Sequence, residues 1–199
     1  MSRRSRIRDT AGVVAASAAA LVAVQGSSGG AAADESGAAE RTTVCVGTRP
    51  TGSLPGPEGQ EPSLYRVLGY VEKRGETRYA SVFTGLSVDE DARTADVYRI
   101  PSKAFDADVC AHAEKGIRLR LHDTDVTARR LQALVESTGD RMDRWDGRFD
   151  LREVGPDPEG FVFFGVDDPA KADLILKKEL GPFWAKHIRV EYVGQASLD

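Results

Sequence analysis

Two stretches of this chain, residues 79–123 and 149–194, carry the same order of patterning: strand, turn, strand, helix, glycine stop, strand. In the first, Val82-Phe83 and Leu86–Val88 run into the acidic turn Asp89-Glu90-Asp91, and Ala95–Ile100 returns as a second strand. Pro101 and Ser102 open a helix with Phe105 and Val109 on one face, which stops at Gly116. Ile117, Leu119 and Leu121 then alternate with Arg118, Arg120 and His122, the period of a half-buried strand. In the second, Phe149–Val154 and Phe161–Val166 flank a turn over residues 155–160. Asp167-Asp168-Pro169 caps a helix running to Gly181, and Ile188–Val193 closes the unit. Between them, Asp123–Asp125 caps the longest helix, with an apolar stripe of Leu131, Leu134, Val135, Thr138, Met142 and Trp145. This order predicts an α+β fold: two ββαβ-like halves joined by a long helix, with helices covering one face of mainly antiparallel sheets.

What precedes the repeat reads differently. Arg3, Arg4, Arg6 and Arg8, the apolar run Ala11–Val24 and Ala31-Ala32-Ala33 before Asp34 match a secretory signal peptide over residues 1–33. The apolar run is short of the roughly 20 residues that a membrane span needs. The alternative is a retained anchor, and the Arg3-Arg4 pair raises a twin-arginine route. Residues 34–62 read as a disordered, Gly-Pro-rich segment with a short strand at 42–46, T-T-V-C-V. Residues 63–199 read as a single domain, opened by a helix that Ser63 caps and that carries Leu64, Leu68 and Val71 on one face.

Removing the four arginines and one aspartate of the leader moves the formal net charge from −4 to about −7. A chain so acidic repels phosphate backbones, which excludes nucleic acid as a partner and favours basic surfaces. In an exported protein the two cysteines, Cys45 and Cys110, read most simply as one disulfide. Closing that loop stabilises the fold by around 4 kcal/mol in the chain-entropy model. Two separate buried thiols are the alternative. A catalytic thiol is disfavoured, since no histidine neighbours either cysteine in sequence.

No motif names a reaction. In Gly52-Ser53-Leu54-Pro55-Gly56 the serine is misplaced for a nucleophile elbow, and zincin, phosphate-loop and dinucleotide fingerprints are missing from the sequence. His112, His122 and His187 are scattered, and His122 and Asp123, adjacent on a strand, point to opposite faces. Asp89, Glu90 and Asp91, Asp157 and Glu159, and Asp167 and Asp168 occupy turns and caps. Calcium is the competing use for such turns, and a glycosidase-like carboxylate pair would be spatial rather than sequential. No catalytic, cofactor-binding or metal-binding residue is therefore assigned, and no cofactor is expected. Among the aromatics, alternation sets Phe164 opposite Phe161 and Phe163. Phe164, with Ile188, Val190 and Tyr192 of the closing strand, is the expected interaction surface; the alternative is that both sheet faces are buried.

From Phe83 onwards the order of elements resembles the pro-region of secreted bacterial serine proteases of the alpha-lytic and streptogrisin type. The resemblance rests on Phe83–Asp89, Ala95–Ile100, Gly116–Leu119, the helix with Leu131 and Leu134, Gly160–Val166 and Ile188–Val190, and covers about 110 residues. It implies a folding catalyst and inhibitor that docks on the protease through an exposed sheet edge. Here the sequence ends at Asp199 without a protease domain, so the expectation is a stand-alone module. The expected function is an exported, non-catalytic binding protein whose partner is another exported protein, such as a serine protease. It has no membrane span once the leader is removed. The alternatives are an exported hydrolase using paired carboxylates, and a structural protein of the cell envelope held by its leader.

Overall fold

The computed structural model describes residues 42–54 and 62–194. The leader and the segment 34–41 lie outside the described residues. In chain order the elements are β1 (Thr42–Val46), α1 (Ser63–Glu76), β2 (Phe83–Asp89), β3 (Thr94–Arg99), α2 (Lys103–His112) and β4 (Arg118–Asp123). Then follow α3 (Ala128–Gly139), a 3-10 turn (Met142–Trp145), β5 (Leu151–Asp157), β6 (Phe161–Val166), α4 (Pro169–Ala185) and β7 (Ile188–Tyr192).

The fold is α+β, and the ββαβ order occurs twice. β2 and β3 form a hairpin, α2 carries the chain back, and β4 lies parallel to β3. β5 and β6 form the second hairpin, and β7 returns through α4 to lie parallel to β6. The first sheet has the order β1-β4-β3-β2 because β1 adds antiparallel to β4; the second is β5-β6-β7. Both sheets are thus mixed, with three antiparallel pairings and two parallel ones.

Each sheet buries one face under helices. Ala95, Val97, Leu119 and Leu121 pack with Val67 and Val71 of α1 and Phe105 and Val109 of α2. Val162, Phe164 and Val166 pack with Leu131 and Leu134 of α3 and Ala172 and Leu176 of α4.

Several sequence expectations shift. The connecting helix is not the longest: α3 ends at Gly139, and Met142 and Trp145 sit on the 3-10 turn, where Trp145 is still buried. The longest uninterrupted helix among the described residues is α1, with 14 residues, whereas α4 loses helical geometry at Gly181, φ +84°, just before Pro182. Proline disfavours the helical region for its predecessor, and glycine takes the left-handed conformation without a Cβ clash.

Thr127, not Asp123–Asp125, caps α3 by accepting from Arg130 N at 3.3 Å. Asp123 is drawn away to Arg99 and Asp125 to Lys186. Ser63 does not cap α1; it lies inside the first turn and accepts from Arg66 at 3.1 Å. The turn expected over 155–160 shrinks to Pro158–Gly160. Gly155, Pro156 and Asp157 stay in β5, an edge strand where a residue lacking its N–H is tolerated.

Residues 47–54 are not a free linker. Gly47 N donates to Ile117 O at 2.8 Å, Lys115 N to Arg49 O at 2.7 Å, and Leu54 enters the core.

Candidate functional site

The face of the first sheet turned away from its helices carries a polar cluster that strand register assembles from three segments. Across β3 and β4, Asp96 stands opposite Arg120 and Tyr98 opposite His122; β1 adds Thr42 beside His122 and Val44 beside Arg120. The intervening residues Ala95, Val97, Leu119 and Leu121 point into the core, so period-two alternation separates core from cluster.

Asp96 is its centre. Its Oδ1 accepts from Arg120 Nε at 2.7 Å and from His122 Nε2 at 2.6 Å. Burial opposes ionisation of Asp96, yet the hydrogen bonds and charges of Arg120 and His122 hold its carboxyl below the usual range. On the other side of the ring, His122 Nδ1 lies 3.2 Å from Thr42 Oγ1. The ring also stacks on Tyr98, with centroids 4.9 Å apart. Burial, joined by the Glu159 and Asp96 charges against an opposing Ser87 hydrogen bond, pushes the Tyr98 hydroxyl up. Thr42, His122 and Asp96 thus form a hydroxyl–imidazole–carboxylate line, which is proton-accepting geometry. Arg120 offsets the Asp96 charge and weakens it as a base-orienting group.

The expected opposition of His122 and Asp123 is present and has two destinations. His122 faces outward to Asp96, while Asp123 accepts from the buried Arg99, which also holds Asp106 at 2.7 Å.

The turn Pro158–Gly160 packs beside this face. A Cβ on Gly85 would lie 2.5 Å from Pro158 O, so only glycine admits the turn there. Arg189 of β7 reaches back to Asp157 at 2.9 Å and Glu159 at 2.7 Å and lies 3.9 Å over the Phe161 ring.

The interaction surface expected from sequence is only partly at the surface. Phe164 is fully buried, Ile188 is buried and Val190 is half-buried against the second core. Register sets all three, with Tyr192, on the helix-covered face of the second sheet. The alternation is as expected but its sense is inverted: Phe161 and Phe163 look outward, because α3 and α4 cover Phe164. Tyr192 alone of the four is strongly exposed, at 67 %, near the end of β7.

The remaining histidines stay apart. His112 stacks on Tyr70 at 4.2 Å and lies 3.2 Å from Asp108. His187 is buried; its Nδ1 is 2.9 Å from Gly160 O, and its Nε2 lies 2.7 Å from Asp125 Oδ1 without an aligned hydrogen bond. Among the described residues no group of three His, Cys, Asp or Glu is arranged to hold a metal ion. Cys45 and Cys110 are joined as a disulfide, with Cα atoms 5.8 Å apart, so neither acts as a separate thiol.

Sequence reasoning missed the most enclosed carboxylate. Glu114 follows α2 and is 0 % exposed. It accepts from Arg66 at 2.7 Å and from the backbone N–H groups of Gly52 and Leu54 at 3.1 and 3.2 Å. Burial pushes its pKa up, but Arg66 and these donors outweigh that and bring it down to about 2. The role is structural: it folds the Gly-Pro-rich loop onto the domain. A cavity of about 490 Å³ separates the two halves, lined by Glu72, Phe83, Leu86, Arg129, Leu131 and Pro156 among others.

No helix among the described residues is long and apolar enough to cross a membrane. In comparisons with known proteins, this chain matches no family model, no curated protein and no solved structure.

Proposed function

We propose that this chain is an exported binding module that engages another secreted protein, a serine protease being the partner class its pro-region-like layout suggests. The observation that carries the reading is the outer edge of β7. That strand pairs with β6 alone and has no strand beyond it among the described residues. Its side chains alternate between helix-packed Ile188 and Val190 and outward Arg189 and Glu191, with Tyr192 exposed at the end. An edge of this kind adds a partner strand through main-chain hydrogen bonds, while alternate side chains supply specificity. Arg189 is already oriented by Asp157 and Glu159, which reduces the ordering cost of docking.

The test mixes the chain with serine proteases secreted by its own source and follows residual activity and co-elution. Inhibition or a complex at micromolar concentration, weakened by Arg189→Ala or Tyr192→Ala, is the expected result. Full protease activity and no complex would overturn it. Export rests on the leader and is tested by N-terminal sequencing of secreted material, for which a start near Asp34 is expected.

The Thr42–His122–Asp96 line favours a second reading, an exported hydrolase. It requires ester or amide turnover that Thr42→Ala and His122→Ala both abolish.

A further inference from the structure

The four sheet edges among the described residues are not equally guarded. β2 carries an irregularity between Phe83 and Gly85, where the Pro158 turn crowds it. β5 has Pro156, an irregularity between Leu151 and Glu153, and three charged residues. β7 carries Arg189 and Glu191. Bulges, prolines and charges are the devices that limit indiscriminate pairing of an edge, and the charges of β7 leave it open only to a partner of complementary charge. β1 has none of them. Its sequence, Thr42-Thr43-Val44-Cys45-Val46, is uncharged and mostly β-branched, with Val44 54 % and Val46 60 % exposed. The disulfide to Cys110 on α2 holds the strand from behind, and β4 holds its inner edge, so the outer edge is rigid before any partner arrives.

We infer that β1 is a self-association edge: two copies of this chain pair antiparallel through β1, about a two-fold axis at Val44, into one eight-stranded sheet. The strand is compatible with its own copy. Centred on Val44, the pairing sets Val44 against Val44 and Thr42 against Val46, and no like charges meet. The nearest charge in the central row is Arg120, already paired with Asp96. With strands roughly 4.8 Å apart, the two copies of Arg120 stand roughly 14 Å apart, beyond the screening length of about 8 Å at physiological salt. Side chains at Thr42, Val44 and Val46 continue the open polar face across the axis, while Cys45 stays on the helix side. This inference does not depend on β7 or on a protease partner.

Sedimentation velocity of the full chain, from micromolar to submillimolar concentration, tests it with Val44→Lys and Val44→Glu. Native chain should dimerise. Each variant should be monomeric where the native chain is dimeric, its dissociation constant raised roughly tenfold or more, and an equimolar mixture of the two should dimerise again. A native chain that stays monomeric throughout would overturn the inference, as would variants that dimerise unchanged, or a β1 occupied only by a different protein. Hydrogen exchange on the native chain gives an independent check should either variant fail to fold. Amide protection at residues 42–46 must rise with protein concentration, and protection independent of concentration also overturns the proposal.

Discussion

Arg66 on α1 donates to the enclosed carboxylate of Glu114 at 2.7 Å, linking side chains 48 positions apart in the sequence. The same carboxylate collects the N–H groups of Gly52 and Leu54, so a single acid fixes helix, loop and the segment after α2 together. Glu114→Ala leaves Arg66 without its buried counter-charge and two backbone donors without an acceptor. The expected loss is about 3–5 kcal/mol, the range for breaking a buried pair by removing one member. Urea unfolding measures it, and Glu114→Gln, which retains an acceptor, should lose less.

The same group sets an acid limit. A carboxylate with a lower pKa folded than unfolded contributes in full above the unfolded value and loses that contribution as pH falls. For Glu114 the window runs from 4.5 down to about 2. The contribution at stake is on the order of 3 kcal/mol. Asp96, Asp108 and Asp125, also held below their ordinary value, act in the same direction. Unfolding midpoints followed from pH 6 to pH 2 should fall less steeply in Glu114→Gln than in the native chain.

The Cys45–Cys110 link closes a loop of 65 residues. Replacing both cysteines by alanine should lower stability by about 4 kcal/mol on the loop-entropy estimate, less any residual order in the unfolded chain. The loss should be concentrated at one edge. Hydrogen exchange in β1 should accelerate while that of β6, in the other sheet, follows only global opening.

Phe163 and Phe164 are adjacent, yet one is half-buried on the open face and the other fully enclosed beneath α3 and α4. Phe164→Ala should cost about 3–5 kcal/mol, as for a large core aromatic. Phe163→Ala should cost less than half of that. Equal losses in thermal unfolding would contradict the orientation of β6.

Much of the fold is legible in the sequence because alternation and capping are local. The Arg118–His122 alternation gives β4 its two faces, and Ser102 and Asp168 cap α2 and α4 from their own first turns. What escapes is decided by distant partners. Alternation separates Phe161 and Phe163 from Phe164 but does not say which face the helices cover. Residues 47–54 read as linker because they open the Gly-Pro-rich stretch 47–62, while the acid that orders them follows α2. The polar cluster needs β1, β3 and β4 side by side, and nothing local to Asp96, His122 or Thr42 announces that registry. The faint signal for Glu114 is a single acid between Ala113 and Ile117, at the junction between a helix and a strand.

The order β1-β4-β3-β2 also has a consequence in time. Among the described residues, the first strand to leave the ribosome is the one whose neighbour is made last in its sheet. Until residue 123 has emerged, T-T-V-C-V has no template and its cysteine no fixed mate. Completion of the first half therefore waits on chain length, and the nascent chain spends that interval with this uncharged, β-branched segment unpaired.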